Sequence, residues 1–463
     1  MTIETVSTPS PQATTQVHRL QAMLEGSPYQ AYVYAYPHKT AYRVFPEPMA
    51  LGTVWGDEDR RALYLYVHVP FCEMRCGFCN LFTSVKPGGD FVEDYLGALG
   101  RQMQQVQQAM GSEARFARFA IGGGTPTYLP IAGLEALLTT VHQKLGVDLA
   151  AIPASVECSP ETATWDKLRM LRDHGVDRIS MGVQSFVPAE VAAIHRPQNM
   201  GSVRAALERM NALEFPHVNI DLMYGLPGQT PDSWLTSLRE ALMFKPAEIF
   251  LYPLYVRPLT RMGSSQAEWD DERLRLYRLG RDTLVEAGYE VRSMRRFRRH
   301  NAAEGSALPV PEYNPAVHGM VGLGCGARSY TEQLHYSSAY AVGPQRVKEI
   351  IRDFITASDE DFASVRYGFA LDEDERRYRF VALSLLSEDG CARGLDLEHY
   401  RTRFGSELWD DRPELMALVD LGLASVEMDT VRLTPQGIER SDTIGPWLFS
   451  PRVKALMDGY RTR

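Results

Sequence analysis

Three cysteines stand close together in the stretch YVHVPFCEMRCGFC, at Cys72, Cys76 and Cys79. Thiolates are ligands for soft metal centres, and three of them spaced C-x3-C-x2-C on a short loop can bind three irons of a cubane iron–sulfur cluster. Three cysteines leave the fourth iron open to another ligand, which suits a catalytic site that donates an electron. The spacing therefore favours a catalytic iron–sulfur cluster.

Two alternatives remain for these thiols. A zinc knuckle would need a fourth thiolate or histidine, but the next cysteine is Cys158, far outside the usual finger spacing. Three unrelated buried thiols are the other alternative, although such density on one short stretch disfavours it. The cluster is the interpretation that uses all three residues.

Short apolar runs alternate with amphipathic, helix-like segments from Leu63 to about Tyr255, and this pattern predicts βαβ units with a parallel sheet. We expect an α/β fold, a partial (β/α)6 barrel, with its chemistry at the carboxyl ends of the strands. Cys72 follows the first run, Gly122 ends the second and Glu157 closes the third. The predicted strands are 63–69, 117–123, 154–158, 178–183, 217–225 and 248–254, with helices at 91–110 and 160–175.

The C-x3-C-x2-C spacing, preceded by Tyr66-x-His68-x-Pro70-Phe71, resembles the radical S-adenosylmethionine (SAM) superfamily, in the branch that contains oxygen-independent coproporphyrinogen III oxidase. The resemblance runs from about Tyr66 to Arg196 and through Asp221, and continues more weakly to the C-terminus. It implies a [4Fe–4S] cluster whose open iron binds SAM. One electron then cleaves SAM to methionine and a 5′-deoxyadenosyl radical.

The resemblance also implies two SAM sites. By themselves, the glycines of Ile121-Gly122-Gly123-Gly124-Thr125-Pro126 could form only a turn, and Glu157 could cap the next helix. In the family, the positions that match Tyr66, Gly123 and Glu157 contact the SAM on the cluster. The positions that match a second SAM site are Phe78, Gly124, Thr125, Gln184, Arg196, Asp221 and, less securely, Tyr255.

One position departs from the oxidase pattern. The oxidase has an extra cysteine two residues after the third cluster cysteine, where this chain has Leu81. The haem-chaperone branch also lacks that cysteine, so this departure does not by itself select one alternative. Gln184, Arg196 and Asp221 are retained, as in class C radical SAM methyltransferases. We therefore expect methyl or methylene transfer from a second SAM to an sp2 carbon of a small-molecule substrate. Porphyrinogen oxidative decarboxylation and haem binding by a chaperone of the same family are the alternatives.

The remaining segments give weaker predictions. We expect residues 1–16 to be disordered and the tyrosine-rich stretch after Ser27 to form a strand or clamp, with His38 or Lys39 facing substrate as the alternative. The run 292–300 has five arginines, which favours a solvated face over recognition of an anionic substrate. Cys325 is expected to be a packed thiol rather than a radical-quenching donor. The predicted domains are an N-terminal arm (1–55), the barrel with its connecting segment (56–345) and a mostly helical, winged-helix-like C-terminal domain (346–463).

Composition limits the function classes. The chain has 463 residues, of which 44% are hydrophobic, so it can form two or three domains. A net charge of −9 argues against a protein that neutralises nucleic-acid phosphates. Neither a signal peptide nor an apolar run of membrane-spanning length is evident, and cysteine usage indicates a reducing compartment. We expect a cytoplasmic monomer without nucleic-acid or membrane partners, supplied with electrons by a donor such as flavodoxin or ferredoxin.

Overall fold

The chain's elements follow the predicted alternation. The structure, a computed structural model, describes residues 11–256, 262, 270–300, 302, 312–339, 341 and 343–460. The strands are β1 Arg43–Ala50, β2 Leu63–Val69, β3 Phe71–Cys72, β4 Ser84–Val85, β5 Phe116–Gly123, β6 Ala154–Cys158, β7 Arg178–Gln184, β8 His217–Tyr224, β9 Glu248–Pro253, β10 Tyr289–Val291, β11 Arg296–Arg299, β12 Met320–Leu323, β13 Arg328–Tyr330, β14 Leu334–Ser337, β15 Ser364–Ala370, β16 Leu395–Asp396, β17 Ala424–Glu427 and β18 Thr430–Leu433.

Helices occupy most of the intervals between these strands. The α-helices are α1 Pro11–Glu25, α2 Leu51–Gly56, α3 Gly89–Met110, α4 Ile131–Leu145, α5 Trp165–Asp173, α6 Pro188–Ala193, α7 Met200–Ala212, α8 Pro231–Met243, α9 Asp270–Glu286, α10 Pro344–Thr356, α11 Asp359–Phe362, α12 Glu373–Leu386, α13 Glu388–Arg393, α14 Leu397–Phe404, α15 Leu408–Asp411, α16 Met416–Asp420, α17 Pro435–Glu439, α18 Ser441–Trp447 and α19 Pro451–Asp458. Short 3₁₀ turns lie at Lys39–Ala41, Pro126–Tyr128 and Pro413–Leu415.

In the described part of the chain, thirteen strands form one sheet in the order β1-β15-β14-β13-β12-β2-β5-β6-β7-β8-β9-β11-β10. The pairs from β2 through β5, β6, β7 and β8 to β9 are all parallel, and β12 adds parallel to β2. The predicted α/β fold with a partial (β/α)6 barrel is confirmed. The six predicted strands match the observed ones to within one residue at each end, because each apolar run ends at a turn.

Alternation along the first barrel strand separates packing residues from residues that face the site. Leu63, Leu65 and Val67 are fully buried, whereas Tyr64 and Tyr66 are only half-buried. Successive side chains of a strand point to opposite faces, so Tyr66 and His68 share the face opposite to Leu65 and Val67. Parallel strands end at one edge of the sheet, which we call the C-terminal edge.

The opposite, N-terminal edge is stabilised by an ion-pair network that involves the arginine-rich run. Glu248, which is 2% exposed, accepts hydrogen bonds from Arg178 at 2.9 Å and from Arg296. Burial alone would raise the pKa of Glu248, but the two guanidinium groups hold it well below its ordinary value. Arg295 and Arg296 are 3% and 7% exposed, so the prediction of a solvated face for 292–300 is wrong at these two positions.

The N-terminal segment differs from its prediction. Residues 11–16 lie in α1, so the prediction of disorder is wrong for them, while residues 1–10 lie outside the described residues. The indole Nε1 of Trp447 donates to the Gln16 carbonyl at 2.8 Å, so α1 is held by a contact with the far end of the chain. Between α1 and β1 the described backbone has no strand, which makes the predicted tyrosine-rich strand wrong, although Tyr29 and Tyr36 are buried.

The chain divides into two compact units. The first comprises the described residues of Met1–His38, Arg292–Met294 and Glu373–Ala455, and the second comprises Lys39–Val291, Arg295–Asp372 and the remaining C-terminal residues. In the first unit, β17 and β18 form a hairpin, and β16 pairs with β18. Helices α12 to α18 complete this winged-helix-like arrangement. In the same unit, Glu375 accepts hydrogen bonds from Tyr36 and, at 2.7 Å, from Ser450.

Candidate active site

The three cysteines lie on the loop that follows β2, at the C-terminal edge of the sheet. The Cys79 amide donates to the Cys76 carbonyl at 3.1 Å, which makes a tight turn between these two residues. Cys72 ends β3, and its Sγ lies 3.5 Å from the hydroxyl of Thr125 in the glycine loop after β5. The spacing in sequence thus becomes one compact set of sulfur atoms.

This cluster loop is fixed by backbone contacts. The Gly77 amide donates to the Ile194 carbonyl at 2.9 Å. A Cβ on Gly77 would lie 2.7 Å from His195 Cδ2 and 2.8 Å from the Ile194 carbonyl oxygen, so only glycine fits here without displacement. On the other side, the Thr125 amide donates to the Phe71 carbonyl at 2.7 Å.

The surroundings of the thiols suit metal ligation rather than free thiolates. Burial raises the pKa of Cys72 to about 12, the Thr125 hydroxyl lowers it, and the neighbouring Cys79 and Cys76 raise it further. Burial likewise raises the pKa of Cys79, and Cys76 adds to the effect. The thiols raise one another's pKa because they lie in one small region. Bound iron would replace their protons and compensate the charges of the thiolates.

The donor set fits a [4Fe–4S] cluster. Among the described residues, no three Cys, His, Asp or Glu side chains are arranged to hold a single metal ion. A cubane cluster has a different requirement, because each cysteine binds a different iron and the sulfur atoms stand further apart. Arg196 Nη1 donates to Cys76 Sγ at 2.9 Å, so a cation is already in place beside the anionic ligands.

The glycine loop after β5 brings Tyr66, Gly123 and Glu157 together. The Gly123 amide donates to Glu157 Oε2 at 3.2 Å. A Cβ on Gly122 would lie 2.9 Å from Glu157 Oε1 and 3.0 Å from the Tyr66 hydroxyl, so the missing side chain lets both groups approach the loop. These three predicted contacts to the first SAM form one continuous surface beside Cys72.

Glu157 is the group in this set with the most altered acidity. It lies deep within the barrel, yet its side chain is accessible, because it lines the interior rather than packing against other side chains. Burial raises its pKa to about 7, the nearby Asp221 raises it further, and the Gly123 amide opposes both. A carboxyl in this position is poised to take up the ammonium group of a ligand.

A second set converges on Gly182, in β7. Arg196 Nη2 donates to the Gly182 carbonyl at 2.8 Å, and Gln184 Nε2 lies 2.8 Å from where a Cβ on Gly182 would be. Asp221, on β8, is the register partner of Gly182. The structure therefore brings together Gln184, Arg196 and Asp221, as predicted for the second SAM site.

The backbone supports this second set. Gln184 has a φ of +69°, in the left-handed region that a residue with a side chain rarely adopts, and the register of β7 against β8 shifts at this point. Asn219 donates to Asp221 Oδ1 at 2.7 Å and to the Ser180 hydroxyl at 2.8 Å, which orients the Asp221 carboxylate. Strained backbone of this kind is common at ligand sites.

The remaining predicted contacts have different surroundings. Gly124 packs on the cluster loop, because a Cβ there would lie 2.4 Å from the Phe71 carbonyl oxygen, and Thr125 follows it. Tyr255 follows β9 at the C-terminal edge, and its hydroxyl accepts a hydrogen bond from Arg295 at 3.0 Å. Phe78 is half-buried against the apolar cluster formed by Ile194, Met223, Leu226, Leu254 and Met262.

Three residues to which the sequence assigned no firm role also face this interior. His68 Nδ1 lies 3.3 Å from the Tyr66 hydroxyl, and burial lowers its pKa to about 4, so the imidazole is neutral. Lys39 lies deep within the same unit, and burial together with Arg328 holds its pKa well below its ordinary value. In the sequence, the alternation that puts Tyr66 and His68 on the same face of a strand could have indicated His68. No sequence pattern indicated Arg328.

The other cysteines are packed. Cys158 is 6% exposed and Cys325 is inaccessible, and burial raises the pKa of both thiols far above the ordinary value. The prediction that Cys325 is a packed thiol agrees with this burial.

Comparison with known proteins gives two matching family models. Residues 66–241 match the radical SAM superfamily, and residues 371–439 match the HemN C-terminal domain. The first range includes Tyr66, the three cluster cysteines and all three residues of the second set. No helix in the described ranges has the length and apolar character needed to cross a membrane.

Characterised relatives cover most of the chain. It is 27% identical to the oxygen-independent coproporphyrinogen III oxidase of Pseudomonas aeruginosa over 81% of this chain and 83% of that protein. It is 29% identical to the heme chaperone HemW of Escherichia coli over 72% of this chain and 89% of that protein. The solved structure of coproporphyrinogen III oxidase (HemN) from Escherichia coli shares the fold, with a TM-score of 0.76, 23% identity and coverage of 93% and 98%.

Proposed function

The chain belongs to the radical SAM superfamily and carries a HemN C-terminal domain, and from this premise we propose that it cleaves SAM reductively to start radical chemistry on a small molecule. Cys72, Cys76 and Cys79 would hold a [4Fe–4S] cluster, which would supply the electron for cleavage of SAM to methionine and a 5′-deoxyadenosyl radical. The observation that carries the proposal is the position of the three thiols directly against the glycine loop.

The protein's own groups orient the first SAM. The Glu157 carboxylate, held by the Gly123 amide, is placed to accept hydrogen bonds from the ammonium of SAM. The Tyr66 hydroxyl borders the same surface, and His68 beside it is neutral, so it adds no charge that would repel the cationic ligand.

We further propose a second SAM beside the first. Arg196 contacts both Cys76 Sγ and the Gly182 carbonyl, so it joins the cluster loop to the set formed by Gln184 and Asp221. Asp221 suits an ammonium or a ribose diol, and the guanidinium of Arg196 suits a carboxylate.

The substitution Arg196→Lys tests this second site. A lysine has one ammonium in place of the guanidinium fork and cannot reproduce both contacts. We expect SAM binding to fall from two molecules to one per reconstituted chain, measured by equilibrium dialysis. Arg209→Lys is the control, because Arg209 contacts neither the cluster loop nor Gly182 and donates instead to the Ala163 carbonyl at 3.2 Å. Two bound SAM molecules in the Arg196 variant would contradict this assignment.

The proposed chemistry is methyl or methylene transfer from the second SAM to an sp2 carbon. It is supported by the convergence of Gln184, Arg196 and Asp221. Leu81, which is 51% exposed where the oxidase pattern has a cysteine, argues against the oxidase but does not separate a methyltransferase from a chaperone. Oxidative decarboxylation of a porphyrinogen is the second candidate, supported by similarity to the oxidase over 81% of the chain. A haem-binding chaperone is the third, supported by similarity to HemW.

We also propose that the substrate carries a carboxylate or a comparable anion. Burial, and then repulsion from Arg328, hold the pKa of Lys39 well below its ordinary value, so these two basic groups lie close together within the barrel unit. An anionic group would reduce this repulsion. Candidate substrates should therefore be compared with their methyl esters, which keep the shape and remove the charge.

Anaerobic turnover with a chemical reductant and SAM that bears a deuterated methyl group separates the candidates. Deuterium in 5′-deoxyadenosine, measured by mass spectrometry, would show that the radical abstracts hydrogen from the second SAM, as methyl or methylene transfer requires. Unlabelled 5′-deoxyadenosine with loss of CO₂ would support oxidative decarboxylation. Protein with a complete cluster that binds haem but forms no 5′-deoxyadenosine would support the chaperone. The Cys76→Ala variant is the control for cluster-dependent cleavage.

A further inference from the structure

A cationic cleft opens beside the cluster loop. It has a volume of about 510 Å³. Its cationic lining residues are Arg75, Lys86, Lys348 and Arg352, and no residue that the structure describes in its lining is acidic. Since the whole chain has a net charge of −9, this concentration of positive charge is local.

One wall of the cleft is continuous with the cluster ligands. Strand β4 pairs with β3, and the Lys86 amide donates to the Cys72 carbonyl at 2.9 Å. Arg75 lies on the cluster loop itself, and its guanidinium approaches the Cys79 carbonyl at 3.5 Å. A molecule seated in the cleft therefore rests on the backbone that holds two of the three cysteines.

The opposite wall is α10, which presents Lys348 and Arg352 one helical turn apart. Both side chains and Lys86 are exposed, and Val85, which is 42% exposed, gives the cleft an apolar centre. Exposed cations around a small apolar patch are typical of a surface that steers an acidic protein into place, whereas a site for a small anion would enclose its charges.

We infer that this cleft is the docking surface for an acidic one-electron carrier protein. The inference rests on the proposed function, because reductive cleavage of SAM requires an external electron. One electron leaves the reduced carrier and is received through the cluster loop, and no covalent bond is formed or broken in this transfer. The arrangement brings the carrier against the backbone that holds Cys72 and Cys79.

The experiment uses the triple variant K86E/K348E/R352E of the full chain with its cluster reconstituted. The probe is flavodoxin, a small acidic electron carrier. We expect its affinity, measured by isothermal titration calorimetry at low ionic strength, to fall at least tenfold in the triple variant. Flavodoxin-driven formation of 5′-deoxyadenosine should fall similarly, whereas formation driven by a small chemical reductant should be unchanged.

The control is Lys245→Glu. Lys245 is an exposed lysine whose φ of +49° matches the +45° of Lys86, but it lies before β9, at the N-terminal edge. An unchanged flavodoxin affinity in the triple variant, or an equal loss in K245E, would overturn the inference. So would saturable binding of inorganic phosphate at the cleft in protein that does not bind flavodoxin. Failure of the proposed function would be visible separately, as absent cleavage with the chemical reductant, while the calorimetric affinity still decides the docking surface.

Discussion

At the scale of single residues, Glu157 shows how a strand end becomes a binding group. Its neighbours in β6 are apolar, and the residue itself extends into the barrel interior next to the Gly123 amide. Burial raises its pKa to about 7, so the carboxyl changes charge within the physiological range. The presence of a cationic ligand favours the charged form.

Replacing Glu157 by Gln should weaken SAM binding by about 10- to 100-fold, since a hydrogen bond to a charged group contributes about 1.5–3 kcal/mol. In the unsubstituted protein, affinity should rise as the pH increases through about 7, when the carboxylate forms. Equilibrium binding of SAM to reconstituted protein between pH 6 and pH 8 measures both effects. An equal pH dependence in the Gln variant would show that another group is responsible.

The same substitution should act in the opposite direction on stability. The pKa of Glu157 is raised on folding, from 4.5 to about 7, so its favourable contribution is complete below about 4.5 and is lost as the pH rises through about 7. At pH 8, SAM-free Glu157→Gln protein should unfold at a higher temperature than the unsubstituted protein, and the difference should shrink toward pH 5. A constant difference at both pH values would argue against titration of Glu157.

At the scale of elements, the two edges of the sheet have different tasks. The C-terminal edge carries the cluster loop, the glycine loop and the set around Gly182, whereas the N-terminal edge carries the network of Glu248 with Arg178 and Arg296. Catalytic groups in barrels of this type gather at strand carboxyl ends, and stabilising contacts at the other end. Substitutions at the two edges should therefore change different measurable properties.

Gly77→Ala should impair cluster binding without unfolding the barrel. The new Cβ would collide with Ile194 and His195, and this displaces the segment that connects Cys76 to Cys79. We expect the iron and sulfide content after reconstitution to fall by half or more, with little change in circular dichroism. Gly97→Ala in α3 is the matched control, because its Cβ would meet no atom within 4 Å. Full iron loading of the Gly77 variant would contradict the argument.

Glu248→Gln should destabilise the barrel unit by about 3–5 kcal/mol, because it leaves the buried guanidinium of Arg296 and the partly buried one of Arg178 facing a neutral amide. Glu240→Gln breaks an exposed pair with Arg204 and should lower stability by about 1 kcal/mol or less. The urea midpoint of the barrel transition compares the two variants. SAM cleavage per folded molecule should be the same in both, and a selective loss of turnover in the Glu248 variant would contradict its structural role.

At the scale of the whole molecule, the features predicted correctly from the sequence are those that depend on residues close together in the chain. The six barrel strands were predicted correctly because their apolar runs are bounded by turns. The three cysteines lie together, as their compact spacing predicted. The helix α1 was missed because PQATTQ is weakly apolar, and a contact with Trp447, 431 residues away, holds it. The burial of Arg296 was missed because its counter-charge comes from Glu248, 48 residues earlier in the chain.

The burial of Lys39 could not be predicted for the same reason. Segments that are far apart in the chain bury Lys39 within the barrel unit, and one of these segments carries Arg328. The functional alternative for the tyrosine-rich stretch named Lys39, but the sequence held no sign of its neighbour. Long-range closure of the sheet determines which polar residues become interior, and a local pattern does not encode it.

The attachment of the cluster loop has a consequence for how the protein matures. Backbone hydrogen bonds from Gly77 to Ile194, from Thr125 to Phe71 and from Lys86 to Cys72 hold the loop, and none of them uses a sulfur atom. We therefore expect the loop to keep these contacts in cluster-free protein, so that iron and sulfide can be inserted after folding. Damage by oxygen would then remove a replaceable part, and repair in the cell would require only a new cluster, not a new chain.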